Sequence, residues 1–315
     1  MITTVTFNPA IDRTLILDSF KVGQVNRLKS SREDVGGKGI NVSKVINLLK
    51  GETIATGFLG SDNKKIFEEF FKNNGLKNDF VFVKDNTRIN TKVINLNESL
   101  TTDLNEVGFS VEKDDINDMK QKIINNAKQS QYTVFGGSFP KNLELIDYID
   151  FVNSIKNNTK VIIDGEGEVL KEGVKTSPYL IKPNENELKD AFGIDVSNVE
   201  ELVKGALNII KTYKVEWILV SRGERGSILI SNDKILLAKP IKVKVLSSVG
   251  AGDSMLGGLI YALEQEKNMV EAFKYATACG TLAVTKEGTE LIERNEVINL
   301  ISKVIIEDIT SMYIN

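Results

Sequence analysis

The sequence predicts an α/β protein whose mostly parallel central sheet is covered by helices on both faces. Three observations lead there. Strand-like and helix-like segments alternate through most of the 315 residues, the pattern of βαβ units. Two stretches break that rhythm with paired strands and no helix between them. No internal repeat, low-complexity tract or Pro/Gly-rich linker divides the chain, so residues 1–315 read as one domain.

The elements follow in order. ITTVTF (2–7) is an opening strand. In VSKVINLLK (42–50), Val42, Val45, Ile46 and Leu49 recur at helical spacing and stop at Gly51. TIATGFLG (53–60) is a strand, and a helix through Phe67, Phe70 and Phe71 ends near Gly75. After a gap, Ile116, Met119, Ile123 and Ala127 mark a helix before the strand YTVF (132–135). Ile146, Ile149 and Val152 mark another before KVIID (160–164), and YLIK (179–182) follows. The helix of Leu202, Val203, Ala206, Ile209 and Ile210 leads into WILVS (217–221). IKVKVLSS (241–248) alternates Ile241, Val243 and Val245 with lysines, a strand signature. From Asp253 on, Met255, Leu256, Leu259, Ile260 and Leu263 form a helical stripe.

The stretches that break the rhythm are TLILD with VNRLKSSRED, and RINTKVINL with TTDLN. They fall within about 12–34 and 88–106. Edge strands of the main sheet are one reading. Their polar and basic content favours the other, a small β-sheet lid over a site.

Composition narrows the chemistry. A chain that is 41% hydrophobic and 26% charged, with net charge −3, is an ordinary soluble globular composition. Nothing in that balance suggests a nucleic-acid surface. The N-terminus lacks a basic and apolar leader, and no run approaches the roughly 18 apolar residues of a membrane span, so a cytoplasmic location is expected. The one cysteine, Cys279, sits among Ala276, Thr277, Ala278 and Gly280 and reads as a packing residue. Histidine is absent altogether. Ser-His-Asp and Cys-His nucleophiles are therefore excluded, and proton transfer near neutral pH falls to Asp or Glu. Metals, if used, are hard cations bound through oxygen.

SSVGAGDSMLGGL (247–259) places glycines between a strand end and a helix start. A glycine turn needed only for packing is the plain alternative. A dinucleotide fingerprint would need glycine at 255, where Met255 stands, and Gly250 lies far from the first βα unit. A Walker loop fails too, since Lys38 is followed by Gly39. An anion site accounts for more of the residues. Gly250, Ala251 and Gly252 let main-chain N–H groups approach a phosphate, and the following helix adds its positive end. Asp253 beside them could be a helix cap. Next to an anion site in a histidine-free chain, it reads instead as the base that accepts a hydroxyl proton.

On these residues the sequence resembles the ribokinase-like carbohydrate kinases, the PfkB family, over essentially its whole length. VGAGDSMLGGL resembles the C-terminal signature, with Asp253 as catalytic base. GGKGINVSKV (36–45) resembles the N-terminal signature, which implies sugar contacts from Gly36, Gly37 and Asn41. KPNENEL (182–188) and VSRGERGSIL (220–229) resemble the nucleotide-contacting stretches. They imply nucleotide roles for Lys182, Asn184, Ser221, Gly223 and Gly226, with Val249 from the glycine turn, and an indirect hold on Mg²⁺ by Glu187. The implied fold is a three-layer α/β/α sandwich with a β-lid.

TVTFNPAIDRT, VNR, GFLGSDN, TRIN, GSFP and TDLNEVGFSV are similar to the branch acting on fructose 1-phosphate or tagatose 6-phosphate. That likeness implies that Asp12 binds sugar hydroxyls and that Arg88 on the lid holds the existing phosphate, with Lys38 and Arg27 as further phosphate ligands. Without it, Asp12 would read as a turn cap, Arg88 as a surface ion pair, Asn41 as an N-cap and Glu187 as a helix-dipole charge. IDGEGEVL (163–170) and Arg222 in SRGERG depart from the usual pattern, on the nucleotide side.

The expected reaction is ATP-dependent phosphorylation of fructose 1-phosphate at O6, giving fructose 1,6-bisphosphate, with Mg²⁺ on the nucleotide. Tagatose 6-phosphate and fructose 6-phosphate are alternative acceptors, and a non-catalytic sugar-phosphate sensor is the alternative outside enzymology. The resemblance also implies a homodimer pairing through the lid, and leaves room for a monovalent cation such as K⁺ near the glycine turn.

Overall fold

The computed structural model describes residues 1–288 and 290–314. The chain opens with β1 (Ile2–Thr6) and leaves at once for two lid strands, β2 (Ala10–Leu17) and β3 (Ser30–Gly36). Helix α1 (Lys38–Leu48) returns to β4 (Thr53–Gly60), and α2 (Lys65–Asn74) leads to β5 (Lys77–Val83). The lid is completed by β6 (Arg88–Asn95) and β7 (Leu100–Asn105). Helices and strands then alternate: α3 (Lys113–Ala127), β8 (Tyr132–Gly136), α4 (Leu145–Ile155) and β9 (Lys160–Asp164). They continue as α5 (Gly167–Gly173), β10 (Leu180–Ile181), α6 (Glu185–Phe192), α7 (Val199–Tyr213) and β11 (Trp217–Ser221). Next come β12 (Ser227–Ile230) and β13 (Ile235–Ala238), then α8 (Ala251–Glu264), α9 (Met269–Ala283), α10 (Arg294–Ile301) and β14 (Ile306–Asp308).

The main sheet has the order β14-β13-β12-β11-β10-β9-β8-β1-β4-β5. It is parallel from β5 to β11 and antiparallel beyond. Alternation along a strand sends side chains to opposite faces. Ile218 and Val220 therefore join the core beneath α3, α4 and α7, with Met119, Phe151 and Leu202. Leu219 between them joins the other layer, with Ile46 of α1, Leu259 of α8 and Phe273 of α9. Each such aliphatic side chain contributes about 1.5–3 kcal/mol by leaving water, so both helical layers are held to the sheet. Cys279 is buried in α9 and packs against Gly258, as a small spacer should.

From β1 the chain winds to β4 and β5 on one side and later to β8 on the other. Such a switch opens a crevice beyond the carboxyl ends of the strands, where ligands of open α/β sheets bind. The four lid strands form their own sheet in the order β3-β2-β6-β7, which decides for a lid over edge decoration. Its base is rooted by Ile11 and Val35 packing with Ile40, Leu59 and Phe67, whereas β7 is exposed along its whole length.

Two expectations differ. IKVKVLSS is not a strand: its Leu246 and Ser247 amides donate to the Val284 carbonyl after α9 instead of to a strand, and Val245 is 62% exposed. The first helix starts earlier than Val42, because Gly37 at φ 126° serves as its N-cap. Among the described residues no helix is long and apolar enough to cross a membrane.

Candidate active site

Gly250 sits at φ 73°, the left-handed region that glycine enters without strain, and caps α8. The first-turn amides of α8 have no partner within the helix. A Cβ on residue 252 would lie 3.0 Å from the Lys182 ammonium, so the glycine lets that ammonium sit close against the turn. Lys182 is buried and stands 3.3 Å from Asp164, whose same oxygen accepts from Lys38 at 3.2 Å. Of the first-turn amides, Ala251 N–H already donates to the Ser248 carbonyl at 3.4 Å; with the others, the two ammonium groups converge on one turn, an arrangement suited to a highly charged anion.

Asp253 lies inside this group, buried in the first turn of α8. Asn41 Nδ2 donates to its carboxylate at 2.8 Å. Burial and the nearby Asp164 charge push the Asp253 pKa up to about 6, against the opposing pull of Asn41, Lys182 and Lys38. A carboxylate poised there is basic enough to accept a proton at neutral pH. The Lys38 pKa rises as well: burial disfavours its charge, but Asp164, Asp253 and Glu187 outweigh that. Asn41 lies within α1 rather than capping it, and its buried Oδ1 has no protein partner.

A cavity of about 210 Å³ opens between the lid and this turn, lined by Asp12, Asp34, Asn90, Lys92 and Val249 among others. Val249, expected on the nucleotide side, therefore borders the lid-side cavity. Asp12 is held from β2 by Asn90 at 3.4 Å. Burial raises its pKa, opposed by Lys44 and the Asn90 bond. Gly36 abuts it so closely that a Cβ would fall 2.1 Å from Asp12 Oδ2. Gly37 turns the chain into α1 behind it.

Arg88 opens β6 and reaches across to the end of β1. Its guanidinium donates to the Asn8 carbonyl at 2.9 Å, the Pro9 carbonyl at 3.3 Å and the Ser138 hydroxyl at 3.2 Å. Among the described residues it forms no carboxylate ion pair, so a surface salt bridge is not what holds it; the acid that acts on its charge is Asp12. Arg27 is exposed in the loop joining β2 and β3, and the structure does not bring it to the other phosphate ligands expected from the sequence.

On the far side, Asn184 and Glu187 form a reciprocal capping box at the start of α6, at 2.8 and 2.9 Å. Asn184 also bridges to Ser221, which joins the two nucleotide-side stretches. Gly223 (φ 56°) and Gly226 (φ 84°) shape the following turn, where a Cβ on residue 226 would meet the Ala238 carbonyl at 2.2 Å. Arg222, the departure noted in the sequence, is buried against Glu185 at 2.9 Å, and Arg225 pairs with the same carboxylate. The motif thus differs through an ion-paired arginine, not through a lost contact.

A family model for pfkB family carbohydrate kinases matches residues 5–295. The chain belongs to that family. This pfkB-family chain is therefore a carbohydrate kinase, a phosphotransferase that acts on a sugar hydroxyl. It is 33% identical over 310 residues to the 1-phosphofructokinase of Borreliella burgdorferi, covering 98% of this chain and 99% of the relative. The 1-phosphofructokinase of Escherichia coli strain K12 is 31% identical over 304 residues, with 96% and 97% covered. In fold, the chain superposes on phosphofructokinase-2 of Escherichia coli, solved with substrates and products, at TM-score 0.90, 24% identity and coverage of 96% and 98%. The same enzyme has been solved in complex with potassium and in a tetrameric inhibited form.

Sequence reasoning passed over Asp164 and Lys44. Asp164 ends β9 fully buried and holds both site lysines. Its position at the carboxyl end of a strand, inside the loosely matching IDGEGEVL, was the available signal. Lys44 carried none, since a lysine on a helix normally faces water.

Proposed function

We propose that the protein transfers the γ-phosphoryl group of ATP to O6 of fructose 1-phosphate, giving fructose 1,6-bisphosphate and ADP. The observation that carries this reading is the buried Asp253 carboxylate set in the glycine turn, with its raised pKa and with Lys38 and Lys182 beside it. The curated relatives supply the choice of acceptor through their name, 1-phosphofructokinase.

In this mechanism Asp12 accepts hydrogen bonds from sugar hydroxyls, while Arg88, joined by Lys38, holds the phosphate already on the sugar. The Asn41 amide orients Asp253. Asp253 takes the proton of O6 as the oxygen attacks phosphorus and the bond to the ADP oxygen breaks. The amides of residues 250 to 253 and the Lys182 ammonium stabilise the charge on the phosphoryl group in transit. Closure of the lid over the sugar excludes water, which limits hydrolysis of ATP. Asn184, Ser221, Gly223 and Gly226 frame the nucleotide.

Among the described residues no group of three or more acidic or thiol ligands gathers to hold a metal alone. That suits Mg²⁺, which binds through nucleotide phosphates and one or two carboxylates. Glu187 and the unpartnered Asp164 Oδ2 are the oxygens available to it. When bound, it would neutralise charge on the ADP leaving group. A monovalent cation near the glycine turn, such as K⁺, and a cytoplasmic location are part of this reading through the family resemblance. So is a homodimer formed through the lid, for which β7 offers exposed Leu100 (58%) and Leu104 (57%).

Assaying ADP release against fructose 1-phosphate, tagatose 6-phosphate and fructose 6-phosphate tests the acceptor. The highest kcat/KM is expected with fructose 1-phosphate, and a clear preference for either rival reassigns the substrate. Gly36→Ala is expected to raise KM for the sugar phosphate by about tenfold or more, because the new methyl displaces the Asp12 carboxylate. Steady-state kinetics with an unchanged KM for ATP would localise that effect.

A further inference from the structure

Lys44 lies on the inward side of α1 and is only 6% exposed. A buried ammonium costs several kcal/mol unless it is paired, yet Lys44 forms no ion pair within 4 Å among the described residues. Its Nζ donates to the Val35 carbonyl and lies 5.1 Å from the centre of the Phe70 ring. Burial drives its pKa down to about 8, opposed by Asp12 on β2, Asp34 on β3 and Asp253 on α8. Glu290 lines the same small cavity as Lys44, Asn41 and Gly250. So the cation is placed where three acidic groups from different elements act on it.

Of those acids, Asp12 depends on it most plainly. Lys44 is the strongest positive neighbour of the Asp12 carboxylate, ahead of Arg88, while Asp34 pushes the other way. The Val35 carbonyl that Lys44 holds immediately precedes Gly36, the residue packed on Asp12. One side chain therefore acts on Asp12 through its charge and through the backbone beside it.

We infer that Lys44 is a positioning residue for acceptor binding: by holding the Val35 carbonyl it fixes the β3–α1 junction and Gly36, so that the Asp12 carboxylate packed on Gly36 faces the sugar hydroxyls. The inference rests on the proposed sugar-binding role of Asp12. It assigns Lys44 no contact with substrate.

The test is a double-mutant cycle read by steady-state kinetics. Lys44→Met is expected to raise KM for fructose 1-phosphate about tenfold, with kcat within about threefold and KM for ATP unchanged. Lys44→Arg keeps the charge and is expected to recover most of the loss. In an Asp12→Asn background, Lys44→Met is expected to add little, because the carboxylate it positions is already gone. An unchanged sugar-phosphate KM in Lys44→Met, or the same tenfold cost in the Asp12→Asn background, overturns the inference. If Lys44→Met does not fold, Lys44→Gln, which can still donate to Val35, enters the same cycle. Asp12→Asn alone tests the underlying reading: normal sugar-phosphate affinity there removes Asp12 from the site, whereas weak affinity there with no effect of Lys44→Met removes only Lys44.

Discussion

Asp253→Asn is expected to lower kcat by about 10²–10⁴ while leaving KM for both substrates within a few-fold. Asparagine fills the same space but accepts no proton, so binding survives and the chemical step does not. The parent enzyme should lose kcat/KM as pH falls through about 6, where Asp253 of the free enzyme becomes protonated, and the residual rate of the variant should lack that limb. Stability moves the other way. A carboxyl whose pKa rises on folding, here from 3.8 to about 6, favours the fold most when protonated. That contribution is full below the unfolded value and is lost as pH rises through the folded one. At pH 7 the buried charge is a cost, so Asp253→Asn should melt at or above the parent temperature in calorimetry. Inactivity with undiminished stability would mark a catalytic group; a large fall in melting temperature would point to a structural one.

Arg88→Ala is expected to raise KM for the sugar phosphate by about a hundredfold, with KM for ATP unchanged. A charge-assisted contact from a half-buried guanidinium to a phosphate is worth about 1.5–3 kcal/mol, and water does not replace its geometry. Arg88→Lys should rescue little, since a lysine cannot reproduce the planar fork that also donates to the Asn8 and Pro9 carbonyls. Those carbonyls lose a donor in either variant, so some loss of stability is expected and is measured separately by thermal unfolding. An alanine variant with a normal sugar-phosphate KM would place the substrate phosphate elsewhere.

Much of this site was legible in the sequence because its parts are local. The glycine turn, the acid after it and the apolar stripe of α8 lie within one short passage, and a chain without histidine leaves few candidates for a base. The lid was legible through a failure of rhythm, strand following strand with no helix between. What stayed hidden is contact across the fold. Asp164 is far in sequence from Lys38, and only the adjacency of β8, β9 and β10 brings it between Lys38 and Lys182. Lys44 looks like a solvated helical lysine until α1 is seen packed under the lid. IKVKVLSS misled for a related reason: its amides are taken by the Val284 carbonyl, a contact distant in sequence that alternation does not reveal. Arg27 marks another limit: it stands exposed in the β2–β3 loop, and a motif fixes only its place in the chain.

The most direct test is a crystal structure with ADP, Mg²⁺, fructose 1-phosphate and a fluoride mimic of the transferring phosphoryl group. The expected result is an Asp253 carboxylate oxygen about 2.6–3.2 Å from O6, with the mimic seated on the amides of residues 250 to 253. If Asp253 turns away from O6, or the mimic settles clear of that turn, the proposed base and anion site are wrong.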